Sequence, residues 1–159
     1  MQFAIREATA RDLDALLPII DEVDALHREH LPHVFQDPHG PPRDREYLLE
    51  LLADESYGVF VAEAAGEVVG FVQVHVGETP PFAILVPRRV AAVENLAVRE
   101  EFRRMGIGRA LMIHAQRWAE ELGASEIELT VYEFNQAAVS FYHSLGYAPS
   151  SRRMSKRLG

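Results

Sequence analysis

Residues 103–108 read Arg-Arg-Met-Gly-Ile-Gly and stand between an apolar run, Val90–Val98, and a helical pattern that follows. A strand that turns directly into a helix leaves the first backbone N–H groups of the helix without partners, and the helix dipole adds positive potential there. The two glycines let the main chain close tightly on a phosphate, and Arg103, Arg104 and Arg109 add countercharge. This stretch therefore predicts an anion-binding turn.

Two glycines at this spacing are also typical of a plain tight turn, so the surrounding sequence has to separate the alternatives. The dinucleotide fingerprint follows the first strand of a βαβ unit and leads to an acid that ends the next strand, and this chain lacks that context. A nucleoside triphosphate turn requires Gly-Lys-Ser or Gly-Lys-Thr, and the sequence contains neither. The anion therefore belongs to another class of ligand.

Hydrophobic periodicity predicts one mixed α/β domain over residues 1–159. The predicted strands are Phe3–Ile5, a hairpin of Tyr57–Glu63 and Glu67–Val76, an inner strand Val90–Val98, Glu126–Val131 and a last strand Met154–Leu158. The predicted helices start near Ala10 after a Thr9 cap and span Glu46–Ala53, Ile107–Leu122 and, after an Asn135 cap, a segment ending at Leu145. Pro18 is expected to kink or split the first helix, and His27–Pro42 is expected to be irregular.

Composition and charge narrow the class of protein. Hydrophobic residues make up 48% of the chain and charged residues 25%, close to the averages of soluble globular domains. Residues 1–100 carry 18 acids against 8 Lys and Arg, while residues 101–159 carry 6 against 8. This asymmetry argues against nucleic acid and suits a cationic ligand in the first part and an anionic one in the second, although solvated helix faces would give the same counts.

Residues that are absent exclude further classes. The sequence has no cysteine, which excludes disulfides, thiolate metal sites and acyl transfer through a protein thiol. The first residues lack the basic start and apolar run of a signal peptide, and no apolar stretch reaches membrane-spanning length. The chain is therefore expected to be cytoplasmic, without a membrane partner.

Two segments resemble the signatures of the GCN5-related N-acetyltransferase (GNAT) superfamily. The family turn reads Arg or Gln, two residues, Gly, one residue, then Gly or Ala, and Arg103, Gly106 and Gly108 match it. Residues 94–98, Glu-Asn-Leu-Ala-Val, are similar to the strand that precedes this turn in many members, and residues 135–147 are similar to the second signature, an Asn-initiated helix bearing Phe-Tyr and closed by Gly and an aromatic residue. The resemblance covers most of the chain and is weakest at His27–Pro42.

The resemblance implies the fold and the cofactor. It implies a GNAT-like α/β fold with a mixed, mostly antiparallel, twisted central sheet, a splayed strand pair and helices on both faces. It also implies acetyl-coenzyme A (acetyl-CoA) as cosubstrate, with the pantetheine arm between the splayed strands. The matching cofactor-binding positions are Leu96, Ala97, Val98, Arg103, Arg104, Met105, Gly106, Ile107, Gly108, Arg109, Asn135, Ala138 and Tyr142.

Two side chains are candidates for the chemistry. Most alkyl amines are protonated at pH 7, so an acceptor amine must lose a proton before it attacks a thioester. Glu94 is the candidate base, directly or through water, because a carboxylate within an apolar strand must find hydrogen-bond partners or become a stronger base; a structural acid is the alternative. Tyr142 matches the family tyrosine that assists the departing thiolate, and a core aromatic is the alternative.

The acceptor site is expected to draw on other residues. The region between the first two helices borders the acceptor pocket in the family, which makes His27, His30 and Phe35 candidates for contact with the acceptor. His75 is either a second possible base or a structural histidine of the sheet. Phe82 either covers the edge of the pocket or lies in a surface connection. The spacing of His27, His30 and His33 could also suit a metal, but Pro32 interrupts it and no carboxylate stands at a ligand offset, so no metal is expected.

The predicted function is transfer of an acetyl group from acetyl-CoA to a primary amine of a small molecule or peptide, with a cationic acceptor. The alternatives are a non-catalytic acyl-CoA sensor and an acyltransferase for longer acyl chains. The resemblance is also compatible with a homodimer, since many family members dimerise.

Overall fold

The computed structural model describes residues 2–159 and contains a five-stranded sheet with the strand order β1-β2-β3-β4-β5. The strands are β1 Phe3–Glu7, β2 Tyr57–Ala64, β3 Glu67–Glu78, β4 Arg89–Val98 and β5 Glu126–Leu129. Neighbouring strands are antiparallel from β1 to β4, whereas β5 runs parallel to β4. The predicted mixed, mostly antiparallel sheet is confirmed.

Helices cover both faces of the sheet, as expected. The helices are α1 Leu13–His30, α2 Arg45–Ala53, α3 Ile107–Glu121 and α4 Gln136–Ser144. One apolar cluster joins α1 and α2 to one face through side chains such as Leu16, Leu48 and Phe71. The other joins α3 to the opposite face and is contacted by Phe141 and Tyr142 of α4. Each sheet face therefore buries its apolar side chains against a pair of helices.

The first helix is not split at Pro18. A 3-10 turn at Ala10–Asp12 leads into α1, which continues through Pro18 as one helix to His30. Proline inside a helix costs about 3 kcal/mol because it removes one hydrogen bond and crowds the preceding turn. Leu16, Ile19 and Ile20 lie on both sides of Pro18 and are at most 5% exposed. Since burial of each large aliphatic side chain contributes about 1.5–3 kcal/mol, packing against the sheet outweighs that cost.

The structure also differs from the prediction at the end of α1, at the end of β5 and at residues 154–158. The irregular segment begins at Leu31, because α1 extends through His27 to His30. Strand β5 ends at Leu129 instead of Val131, since Leu129 is the last residue paired with β4. Residues 154–158 form no strand: Met154 is 85% exposed and Leu158 is 89% exposed, so neither apolar side chain has a surface to pack on.

The separation of β4 from β5 positions the candidate site. The two strands pair from Val90 opposite Glu126 to Val93 opposite Leu129, and the pairing stops there. Strand β4 continues to Val98 while pairing only with β3. The second edge of residues 94–98 therefore faces a gap, which confirms the predicted splayed strand pair.

Candidate active site

The start of α3 has a backbone geometry that suits an anion. Gly106 precedes the helix with φ 84°, a left-handed conformation that favours glycine, and no side chain caps the helix there. The first N–H groups of α3 therefore remain available to a ligand. Gly108 serves a different purpose: a Cβ atom at this position would lie 3.3 Å from Cζ of Phe141. The second glycine allows α3 and α4 to approach closely beside the turn.

The side chains of the turn differ in what they can offer a phosphate. Arg104 and Arg109 are exposed, and Met105 is 45% exposed, so all three remain free to contact a ligand at the surface. Ile107 is 1% exposed and belongs to the core, which leaves only its backbone N–H for binding. The Arg103 guanidinium donates to the carbonyl of Val98 at 2.9 Å and to Oε1 of Glu22 at 3.0 Å.

The open edge of β4 provides backbone groups beside the turn. The predicted cofactor positions on this strand are Leu96, Ala97 and Val98, all past the last β4–β5 pair at Val93. Ala97 is buried against the α1 face, whereas Leu96 and Val98 pack against the α3 cluster. Their main-chain polar groups on the side of the gap have no partner strand, and an extended amide-containing ligand could pair with them.

The start of α4 completes the cofactor side of the gap. Asn135 caps the helix as predicted, because its Oδ1 accepts a hydrogen bond of 3.2 Å from the N–H of Ala138. The cap uses the oxygen of this amide and leaves its NH2 group for a ligand. Seven residues further on, Tyr142 packs beside Phe141 and Tyr147, with ring centroids 5.2 Å and 5.9 Å away.

The environment of Tyr142 favours a neutral phenol. Burial, with a smaller effect from Tyr147, raises the pKa of Tyr142 to about 12. An ordinary thiol has a pKa of about 8.5, so full proton transfer from this phenol to a thiolate would be uphill by about 5 kcal/mol. Tyr142 is therefore suited to donating a hydrogen bond to a developing thiolate.

A polar cluster lies at the point where β4 and β5 separate, formed by Tyr57, Gln73, His75, Glu94 and Asn95. Glu94 is exposed, and its Oε1 accepts a hydrogen bond of 2.9 Å from Nε2 of Gln73. His75 packs against the ring of Tyr57 at a centroid distance of 4.5 Å. Burial and the negative charge of Glu94 raise the pKa of Tyr57. The structure thus brings the predicted base and the predicted sheet histidine into one group.

An aromatic cluster, formed by His27, His30, Phe35, Tyr132 and Phe134, joins α1 to the loop before α4. The His27 ring meets Phe35, Tyr132 and Phe134 edge to face at 5.4–5.5 Å, and the His30 ring stacks on Phe134 at 4.4 Å. The Nδ1 atom of each histidine lies within 3.0 Å of the carbonyl oxygen four residues earlier. Since a carbonyl only accepts, each Nδ1 carries a proton and donates to that carbonyl.

This aromatic cluster lies close to the gap. Tyr132 is three residues past Leu129, the partner of Val93, and an extended chain spans at most about 3.6 Å per residue. The cluster brings together His27, His30 and Phe35, three of the predicted acceptor residues, and it adds Tyr132 and Phe134, which the sequence did not predict. The sequence signal for these two residues was the presence of two aromatic side chains, Tyr132 and Phe134, just before the Asn135 cap. Phe82, by contrast, is 64% exposed in the β3–β4 loop and belongs to neither cluster.

A charged cleft of about 430 Å³ lies elsewhere, between the first half of α1 and the β2–β3 turn. Its lining groups largely neutralise one another: Arg6 pairs with Asp12 and Glu63 at 2.8 Å, and Arg99 pairs with Glu67 at 3.6 Å. Within residues 2–159, no three His, Asp or Glu side chains lie close enough together to hold a metal ion. None of the helices in this part of the chain is long and apolar enough to cross a membrane.

Comparison with known proteins agrees with the fold and the turn. A family profile described as the Acetyltransferase (GNAT) family matches residues 20–147, which include the turn, the open edge of β4 and the whole of α4. The chain belongs to this family. An N-alpha-acetyltransferase of Sulfurisphaera tokodaii is 29% identical to this GNAT protein over 151 residues, which cover 92% of the chain and 80% of the relative. Other curated N-acetyltransferases match over 66%, 37% and 44% of their own lengths.

Solved structures share the fold of this GNAT protein. A variant of the BH1408 protein of Bacillus halodurans superposes with a TM-score of 0.93 at 26% identity, over 98% of this chain and 99% of that one. An aminoglycoside N-acetyltransferase solved in complex with coenzyme A superposes with a TM-score of 0.71 at 20% identity, over 98% and 99% of the two chains. The second likeness concerns the fold alone.

Proposed function

We propose that this GNAT protein transfers the acetyl group of acetyl-CoA to a primary amine by direct attack within a ternary complex. Acetyl-CoA is the cosubstrate. The observation that carries the proposal is the uncapped start of α3 directly beside the open edge of β4, with Tyr142 on the adjoining helix. A pyrophosphate and an extended pantetheine arm are the ligand parts that suit these two features.

The cofactor would bind along this line. The N–H groups at the start of α3, with Arg104 and Arg109, would hold the pyrophosphate. The backbone groups of Leu96 and Val98, on either side of Ala97, face the gap and would pair with the pantetheine. The free NH2 group of Asn135 would bind the same arm. A backbone N–H at the open edge would also stabilise negative charge on the thioester oxygen as the amine attacks.

Glu94 would take the proton of the amine, directly or through one water. The C–N bond then forms and the attacking nitrogen loses its second proton to solvent. The C–S bond breaks, and the sulfur leaves as a thiolate that accepts a hydrogen bond from Tyr142 and is protonated from solvent. No protein thiol takes part, because the chain has no cysteine. Exposure of Glu94 beside the gap supports this role over that of a structural acid.

The acceptor is proposed to be a cationic amine. Residues 1–100 contain α1 and Glu94 and carry 18 acids against 8 bases, so their field attracts positive charge. Aromatic rings such as that of Tyr132, which is 40% exposed, attract cations as well, and an unprotonated Nε2 of His27 or His30 would accept a hydrogen bond. This combination of aromatic faces and acceptors favours a donor-rich amine over an anionic acceptor.

The experiment is a thiol-release assay with acetyl-CoA and a panel of amines: peptide N-termini, lysine peptides, polyamines, amino acids and aminoglycosides. We expect release above the hydrolysis rate with at least one cationic amine, and mass spectrometry should show a product heavier by one acetyl group. Propionyl-CoA and succinyl-CoA serve as competing donors. Tight coenzyme A binding without turnover on any amine would instead identify a non-catalytic acyl-CoA sensor.

A further inference from the structure

The polar cluster contains a buried amide that the transfer reaction does not use directly. Gln73 is 5% exposed and lies on the α1 side of β3 among apolar neighbours that include Ile20, Leu52 and Phe71. An amide buried without partners would cost about 1–3 kcal/mol. Within residues 2–159, Asp12 is the other buried polar side chain, and its ion pair with Arg6 accounts for it. Gln73 therefore requires a comparable explanation.

Both ends of the Gln73 amide are occupied. Its Nε2 donates to Oε1 of Glu94 at 2.9 Å, and its Oε1 accepts from Nδ2 of Asn95 at 3.2 Å. The opposite orientation of the amide would place its oxygen against the carboxylate oxygen, so electrostatic repulsion selects the orientation with the NH2 group toward Glu94. The Asn95 side chain in turn secures the Gln73 oxygen.

A β-bulge allows this arrangement. Gln73 lies opposite Asn95, but the next residue, Val74, lies opposite Val93, so Glu94 is the extra residue on β4. In a regular strand, successive side chains point to opposite faces of the sheet, and Glu94 and Asn95 could not both reach one side chain of β3. The bulge removes this alternation locally and brings both side chains to Gln73.

We propose that Gln73 is a positioning residue that holds the Glu94 carboxylate through one oxygen and leaves the other oxygen free at the β4–β5 gap for the acceptor amine. This inference rests on the proposed function. Glu94 directly follows Val93, the last β4 residue paired with β5, and its second oxygen makes no hydrogen bond within residues 2–159. An exposed glutamate without such a partner would sample several rotamers, and a displacement of about 1 Å can cost a hundredfold in rate.

The test is a double-mutant cycle with Gln73→Met, which keeps the length of the side chain and removes both hydrogen bonds, and Glu94→Ala. We expect Gln73→Met to lower kcat/KM for the amine about tenfold to a hundredfold, with the acetyl-CoA Kd changed less than twofold. In the Glu94→Ala background, the same substitution should have no further effect. Equal losses in both backgrounds would show that Gln73 acts on the fold alone and would overturn the proposal.

Two further variants and one NMR measurement keep the result interpretable. Val74→Ala, a core substitution on the same strand that faces the α3 side, should lower stability and leave the Gln73–Glu94 coupling intact. Asn95→Ala removes the hydrogen bond that Asn95 donates to Gln73. It should reproduce part of the loss of kcat/KM caused by Gln73→Met, and only when Glu94 is present. If the protein acetylates no amine, the proposed function fails, but NMR still tests the hydrogen bond between Gln73 and Glu94. Glu94→Ala should shift the side-chain NH2 resonances of Gln73, and unchanged resonances would overturn the positioning role of Gln73.

Discussion

Glu22 on α1 accepts hydrogen bonds from the guanidinium of Arg103 at 3.0 Å and from the N–H of Glu100 at 3.2 Å, and it thereby ties the first helix to the anion-binding turn. Arg103 is also the first residue of the turn signature of the GNAT family. A phosphate bound at the start of α3 would compete with the Glu22 carboxylate for Arg103. Cofactor affinity would then depend on the attachment of α1 to the turn.

Glu22→Gln should tighten binding of coenzyme A. The pair is half exposed, so its strength is less than about 1 kcal/mol, and the gain in affinity should be at most about fivefold. Isothermal titration calorimetry with coenzyme A at low salt measures it. Glu29→Gln is the matched control, because it removes the same charge from an exposed position on the same helix. Equal gains in both variants would show that only the overall field changed.

Tyr142→Phe should lower kcat about tenfold to a hundredfold while the Kd of acetyl-CoA changes less than twofold, because the phenol would act on the leaving thiolate and not on the bound cofactor. Single-turnover rates and calorimetry separate the two quantities. Tyr147→Phe is the control, since this ring lies 5.9 Å from Tyr142 in the same surroundings. An unchanged rate for Tyr142→Phe would remove the residue from the mechanism.

Asp12→Asn should destabilise the fold by about 2–4 kcal/mol at pH 7, because Arg6 and the N–H of Thr9 would lose their buried carboxylate partner. These groups hold the pKa of Asp12 below its usual 3.8, chiefly through Arg6. A lowered pKa stabilises the fold above pH 3.8, and this contribution is lost as the pH falls through the folded-state value. Urea unfolding should therefore show the wild type and the variant converging below about pH 3.8.

Asp14→Asn is the control for this substitution, since Asp14 is 90% exposed and its contact with Arg45 is 3.3 Å long. We expect a change below about 0.5 kcal/mol. A loss at Asp14 as large as that at Asp12 would mean that charge at the start of α1, and not the buried ion pair, stabilises the protein.

Phe134→Ala should raise KM for a cationic acceptor about fivefold to fiftyfold with little change in the Kd of acetyl-CoA, since it removes the ring that stacks on His30 and contacts His27. Initial rates over a range of amine concentrations give the value. Phe82→Ala is the control, because this ring is 64% exposed in the β3–β4 loop. If Phe82→Ala instead raises KM more than Phe134→Ala, the acceptor site lies under that loop.

Local sequence was sufficient to predict those elements whose structure depends only on neighbouring residues. The turn at residues 103–108, the Asn135 cap and the apolar run of β4 each depend on backbone conformation within a few residues, which glycines, capping side chains and periodicity encode. They predicted the fold and the family that the comparison confirms. Prediction failed at residues 154–158, where packing against the rest of the protein is missing. The split considered at Pro18 does not occur, because packing against the sheet outweighs the low helix propensity of proline.

The partners of the functional side chains were decided by tertiary structure. Arg103 meets Glu22 from 81 residues away, Gln73 meets Glu94 from 21 residues away, and His27 meets Phe134 from the other end of the chain. Such contacts depend on which helix covers which face and on a one-residue bulge that reverses the direction of a side chain. The sequence thus determined that the glycine-containing turn before α3, a carboxylate and a tyrosine are present. Only the packing of the elements determined which groups hold them in place.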